Sequence, residues 1–135
     1  MSPANGPIVA VSVVARDGDR VLLVRRDSPP FAGAWALPGG KVRAGERLAE
    51  AAARELLEET GIAVDGLEQI DVAEITDAGD TGAHYVIVVF AGAPLPSRLV
   101  AGDDAAEARW AAPSDLDGLT LTADTARILS RIMAV

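Results

Sequence analysis

Apolar and polar positions along this chain form short β-prone runs broken by turn residues, with two stretches of helical pattern. Val9–Ala15 is apolar and rich in β-branched residues, Asp17-Gly18-Asp19 supplies turn chemistry, and Arg20–Arg26 resumes as Arg-Val-Leu-Leu-Val-Arg-Arg. Two such runs around a short Asp/Gly segment predict a β-hairpin. Asp27–Gly33, with Pro29 and Pro30, predicts a loop, and Trp35–Leu37 a short extended piece stopped by Pro38-Gly39-Gly40. Arg47–Thr60 is built from strong helix formers and ends at Gly61, a natural helix stop.

Beyond that helix, Leu67–Ile75 predicts a strand, Thr76–Gly82 a turn, and Ala83–Ala91 a strongly β-prone strand. Gly92–Asp104, with Pro94 and Pro96, predicts a loop, and Glu107–Ala111 one more short strand. Thr122 is placed to cap a closing amphipathic helix through about Met133, with Ile128, Leu129 and Ile132 on its apolar face. Mixed strands with two helices predict an α+β layered fold in one domain over residues 1–135.

Composition narrows the function. Half of the 135 residues are hydrophobic and 24% are charged, a globular balance. There is no cysteine, which removes disulfides and thiolate-bound zinc. No stretch approaches the ~20 apolar residues of a membrane helix, and nothing basic precedes Ile8–Ala15 as in a signal peptide. A cytoplasmic protein without membrane contact is therefore expected. The net charge of −8, from 20 acidic and 12 basic residues, repels polynucleotide backbones, so no nucleic-acid polymer is expected as partner.

The acidic residues are unevenly spread. On a helix through 47–60, Glu55, Glu58 and Glu59 fall within roughly 100° of arc, because they are spaced i, i+3, i+4. The neighbouring arc holds Ala49, Ala52, Ala53 and Leu56, so the carboxylates border a small apolar packing face. A glycine-rich turn at Pro38-Gly39-Gly40 and Gly45 precedes the helix and lets backbone approach a ligand. Oxygen ligands in this number suit a hard cation such as Mg²⁺.

The segment Gly40–Ile62 resembles the signature of the Nudix family: Gly, five residues, Glu, seven residues, then Arg-Glu-apolar-any-Glu-Glu-any-Gly-apolar. Gly40, Glu46, Arg54, Glu55, Leu56, Glu58, Glu59, Gly61 and Ile62 match all nine specified positions. Chance agreement is on the order of 10⁻⁹ per starting point. The resemblance implies a mixed sheet sandwiched between helices, the α/β/α arrangement of that family. It also implies a Mg²⁺-dependent pyrophosphohydrolase, with Mn²⁺ as substitute, acting on a nucleoside diphosphate linked to another group.

Carried over position by position, the resemblance makes Glu58 and Glu59 the principal metal ligands. Glu55 becomes a third ligand or the base that activates water, and the Gly39 carbonyl a further ligand. Arg54 orients the glutamates, and Glu46 supports them near the helix start. A carboxylate before a tryptophan often completes such sites. Here Asp103, Asp104 and Glu107 precede Trp110, and Asp104 is the favoured catalytic candidate with Glu107 next. Arg26, Trp35 and Glu107 are substrate-binding candidates. Only one of Arg25 and Arg26 can face a site at their strand end, and a large aromatic such as Trp35 more often serves a core. His84, in a strand, reads as structural.

Within the family, the context of Ala36-Leu37-Pro38-Gly39-Gly40 and the acidic run before Trp110 resemble the ADP-ribose pyrophosphatase branch. Nucleotide-sanitising MutT relatives commonly carry a glutamate and phenylalanine before Pro-Gly-Gly, where Ala36 and Leu37 stand here. An isopentenyl diphosphate isomerase would use a cysteine that this chain lacks. A non-hydrolytic nucleotide sensor is the reading from another class, and the intact box weighs against it. With aromatics at 4%, little base stacking is expected, so selectivity would lean on the diphosphate. A homodimer stays open.

Overall fold

The computed structural model describes residues 6–29, 31–78, 82–102 and 105–133, with only the backbone described at 77 and 78. In chain order the strands and helices are β1 (Ile8–Asp17), β2 (Arg20–Arg26), β3 (Trp35–Ala36), β4 (Gly39–Lys41), α1 (Leu48–Thr60), β5 (Val64–Ala78), β6 (Ala83–Pro94), β7 (Ala105–Ala111) and α2 (Ala123–Ile132). A 3₁₀ segment, Pro113–Gly118, leads from β7 towards α2.

The β1–β2 hairpin forms where expected, with Gly18 left-handed at φ 62° in its turn. The sheet runs β3-β2-β1-β6-β5, with β4 on β1 and β7 on β2. β1 and β6 are parallel and every other pairing is antiparallel, so the sheet is mixed.

Alternation along the strands makes two cores. Val11, Val13, Val88 and Phe90 pack with Ala51, Ala52 and Leu56 of α1, all buried. Val14, Val89 and Trp35 pack with Ile128 and Leu129 of α2 and with Met133. A mixed sheet between two helices is the expected α/β/α layering. No helix among the described residues is long and apolar enough to cross a membrane.

The element boundaries differ from the sequence reading in ways the backbone explains. β5 begins at Val64, before the expected Leu67, and continues through Ala78 where a turn was expected. Its pairing with β6 shifts register between Asp65 and Glu68, Gln69 and Asp71, and Ile75 and Ala78. Such bulges hide a strand's period of two.

Gly92 and Pro94, assigned to a loop, lie in β6. A side chain at Gly92 would collide with Val64 and Leu67, so glycine there permits close approach rather than ending the strand. The Gly39–Lys41 segment, expected only as a stop, is itself a strand. α1 starts one residue later than expected, with Arg47 at its N-cap and the Arg47 N–H donated to the Glu50 carboxylate at 2.9 Å. On its packed face Ala51 takes the place expected for Ala49, which is exposed.

Candidate active site

A cavity of about 800 Å³ opens beside β4. Its floor is one face of the sheet, because Ala10 and Ser12 of β1, Tyr85 and Ile87 of β6, and Ala73 and Ile75 of β5 all follow the alternation. The same face continues into the core under α2 at Val14 and Val89.

The α1 carboxylates Glu55, Glu58 and Glu59 line this cavity past the glycines of β4. Gly40 makes that possible. A β-carbon there would stand 2.5 Å from the Glu55 carboxyl carbon, so the carboxylate lies directly against the backbone. A β-carbon on Gly39 would strike the Val11 carbonyl oxygen, so β4 lies against β1 only because this residue is glycine.

Arg54 organises the acidic edge. Its guanidinium donates to Glu46 at 2.6 and 2.9 Å, to Glu55 at 2.8 Å, to both Glu58 oxygens at 3.3 Å and to the Lys41 carbonyl at 3.1 Å. These bonds, chiefly the one to Glu46, hold Arg54 firmly protonated. Reciprocally, the Arg54 hydrogen bond, helped by the Arg43 N–H, lowers the Glu46 pKa from 4.5 to about 2. Glu59 is 7% exposed, and one of its oxygens accepts the Gly39 N–H at 2.7 Å. The charged end also includes Lys41 and Arg43, whose guanidinium reaches Glu58 at 3.4 Å.

In this conformation Glu55 and Glu58 are paired with Arg54, Glu58 also with Arg43, and one Glu59 oxygen accepts the Gly39 N–H. Among the described residues no three Asp, Glu or His groups converge as a formed metal site. In kind, the donor set fits a hard divalent cation, since it offers carboxylate oxygens alone.

The other expected site residues separate. Arg26 lines the cavity, whereas Arg25 is held on β7 by Glu107 at 2.9 and 3.1 Å. Glu107 is therefore a cross-strand partner and does not line the cavity. Trp35 is 8% exposed, lies in the core with Ile128 and Leu129, and does not line the cavity either. Its ring packs under α2, so the core reading holds for it and the substrate-binding one does not. Asp104 lies outside the described residues. His84 presents a buried Nε2 without a hydrogen-bond partner among the described residues and is absent from the cavity wall.

Sequence reasoning missed the opposite wall. Phe31 and Tyr85 line the cavity, so two of the chain's few aromatics stand where a ligand would meet them. Thr122, Asp124 and Thr125, from the start of α2, line it too. Thr122 takes the N-cap position as expected, but its hydroxyl donates to the Thr125 hydroxyl at 2.8 Å, which in turn accepts the Leu37 N–H at 3.2 Å. These side chains thus tie α2 to the segment before β4.

Comparison with known proteins agrees with the geometry. The NUDIX domain model matches residues 6–132. The ADP-ribose pyrophosphatase of Methanocaldococcus jannaschii is 38% identical over 104 residues, 77% of this chain, which spans 61% of that relative's length. A MutT Nudix hydrolase from Burkholderia pseudomallei superposes with a TM-score of 0.85 at 31% identity, over 94% of this chain and 98% of its own. A bifunctional NMN adenylyltransferase/ADP ribose pyrophosphatase from Francisella tularensis, solved with AMP and a manganese ion, gives a TM-score of 0.81 at 26% identity. That match covers 98% of this chain and 43% of the larger one. Nudix hydrolases generally use a divalent metal ion. With its complete signature on β4 and α1, its mixed sheet between two helices and a family match over nearly its whole length, this chain belongs to the Nudix family.

Proposed function

We propose that this protein is a Mg²⁺-dependent pyrophosphohydrolase that cleaves a nucleoside diphosphate linked to a sugar, with ADP-ribose as the favoured substrate. The observation that carries this reading is the convergence of Glu55, Glu58 and Glu59 on one cavity whose wall also holds Arg26, Lys41 and Arg43. A diphosphate needs both kinds of group: cations to neutralise its charge and carboxylates to hold them or to take a proton.

In this reading Glu58 and Glu59 hold the cation, with the Gly39 carbonyl and Glu55 beside them. When bound, Mg²⁺ neutralises phosphate charge and lowers the pKa of water near it. Arg54 keeps Glu55 and Glu58 aligned through the contacts described above and is itself braced by Glu46. Glu55, 17% exposed and directly over Gly40, is placed to receive the proton of an attacking water. The oxygen of that water bonds to one phosphorus, the bridging P–O bond breaks, and the departing phosphate oxygen leaves with the bond's electrons. ADP-ribose and water thereby give AMP and ribose 5-phosphate. Arg26 and Arg43 are placed to bind the phosphate oxygens.

Supporting the substrate are the ADP-ribose pyrophosphatase relative and the structural likeness to a second such enzyme. A nucleotide-sanitising reaction on 8-oxo-dGTP is the second reading, favoured by the likeness to a MutT protein. The strongly acidic chain suits a small nucleotide in the cytoplasm better than a polynucleotide. The test is kcat/KM for ADP-ribose against dGTP and 8-oxo-dGTP at saturating Mg²⁺. ADP-ribose is expected to lead by tenfold or more, and a triphosphate leading by that margin, with pyrophosphate released, would move the assignment to sanitation.

A further inference from the structure

We propose that the segment 95–102, between β6 and β7, positions the turn of α1 that carries Glu58 and Glu59, and that Gly102 is its decisive residue. The inference rests on the reading of those glutamates given above and adds to it how the chain fixes the backbone beneath them.

Helix ends fray, because their last carbonyls find no partner within the helix. Glu58 and Glu59 stand in the last turn of α1, which ends at Thr60. Their side chains are only as well placed as that turn. Partners for it come from a segment distant in sequence. Gly102 donates its N–H to the Glu59 carbonyl at 2.9 Å, and Val100 donates to the Thr60 carbonyl at 2.8 Å. Just beyond the helix, the Leu95 N–H reaches the Ala63 carbonyl at 2.9 Å, and the Ser97 hydroxyl accepts the Ala63 N–H at 3.2 Å. Leu99, between these bonds, packs against the core under α1.

Two glycines allow the approach. A β-carbon on Gly102 would stand 2.6 Å from the Glu58 carbonyl oxygen, and one on Gly61 would stand 2.6 Å from the Arg98 carbonyl oxygen. Gly61 is left-handed at φ 74°, so its backbone alone favours glycine. Gly102 has no such φ. What glycine supplies at 102 is contact with the backbone of Glu58.

Glu59 is thereby held at both ends, its backbone carbonyl by the Gly102 N–H and its carboxylate by the Gly39 N–H at 2.7 Å. A loosened turn would release both carboxylates from their alignment. Altering groups that orient metal ligands from behind typically costs about 10–100-fold in metal affinity or activity.

The experiment measures the Kd for Mn²⁺ by calorimetry on the full chain without substrate, and kcat and KM for ADP-ribose at saturating Mg²⁺. The variants are Gly102→Ala, Val100→Pro and Val21→Ala. Val21 is fully buried in β2 on the α2 side, so its truncation lowers stability away from this segment. Gly102→Ala should bind Mn²⁺ about tenfold or more weakly and lose as much in kcat, with KM held within about threefold. Val100→Pro, which removes the donor to Thr60, should weaken Mn²⁺ binding and kcat by about threefold or more. Val21→Ala should lower Tm and leave the Kd for Mn²⁺ within about twofold. Unchanged Mn²⁺ binding in a folded Gly102→Ala, or an equal loss in Val21→Ala, overturns the proposal. If Gly102→Ala does not fold, Val100→Pro decides by the same measure. A chain that shows this Mn²⁺ pattern yet hydrolyses no diphosphate keeps the positioning role and loses the hydrolase reading. One that hydrolyses ADP-ribose while its Mn²⁺ binding ignores both substitutions in the segment does the reverse.

Discussion

Alanine at the two glycines of β4 should separate folding from catalysis. At Gly39 the added β-carbon meets backbone: the Val11 carbonyl oxygen, with the Ser12 Cα at 2.9 Å and the Val11 carbonyl carbon at 3.0 Å. Neither strand can give way without breaking the β1–β4 pairing of Val11 with Gly40 and Ser12 with Gly39. Overpacking against rigid backbone costs about 3 kcal/mol, a fall in Tm of about 10 °C for a chain of this size. At Gly40 the β-carbon meets only the end of Glu55, with the carboxyl carbon at 2.5 Å and the oxygens at 2.5 and 2.7 Å. A flexible side chain can swing aside, and lower unfolded-state entropy returns about 0.4–1 kcal/mol, so net stability should hardly change. Glu55, however, must leave its place at Arg54, and misplacing a catalytic group by about 1 Å can cost on the order of 10²-fold in rate. Thermal unfolding and steady-state turnover, run on both variants, read the two effects apart. The reasoning fails if Gly40→Ala unfolds as readily as Gly39→Ala, or if it keeps wild-type turnover.

Glu58→Gln and Glu59→Gln should each lower kcat by two orders of magnitude or more with Tm nearly unchanged, since at position 59 an amide oxygen can still accept the Gly39 N–H and at position 58 one can still accept from Arg54; near-full turnover in either would remove that residue from the site. Glu46 has a folded pKa of about 2 against 4.5, so its contribution to stability is present above about pH 4.5 and lost as pH falls towards 2. Urea unfolding of Glu46→Gln should therefore show a smaller loss of stability across that window than the wild type, and parallel curves would contradict the ion pair. Leu56→Ala, emptying a fully buried position between α1 and the sheet, should cost about 2–5 kcal/mol by denaturant titration.

The charged half of the site was legible because it is local. Two turns of one helix and one preceding loop place Glu46, Arg54, Glu55, Glu58 and Glu59, and helical spacing alone puts the last three on one side. The uncharged half was not, because it is assembled by pairing over long sequence distances. Tyr85 reaches the cavity only because β6 lies parallel to β1, with Ile8 opposite Tyr85 and Ala10 opposite Ile87, and no local pattern announces a parallel pairing. Alternation in β2 limited the choice to Arg25 or Arg26, and the Arg25–Glu107 pair decides which stays at the cavity. Trp35 drew attention by standing beside the glycine turn, yet its strand pairs with β2 and turns the ring into the core under α2. The β4 strand escaped notice because glycine is depleted in strands generally. Here close backbone approach outweighs that preference.

The most direct test of the account is ADP-ribose turnover by the wild type and by Glu58→Gln, each with Mg²⁺ and with excess chelator, products identified by mass. The account predicts AMP and ribose 5-phosphate from the wild type with Mg²⁺, and at least a hundredfold less product in the other three reactions. Turnover that survives chelation, or that Glu58→Gln retains in full, would contradict a cation-dependent site built on the α1 carboxylates.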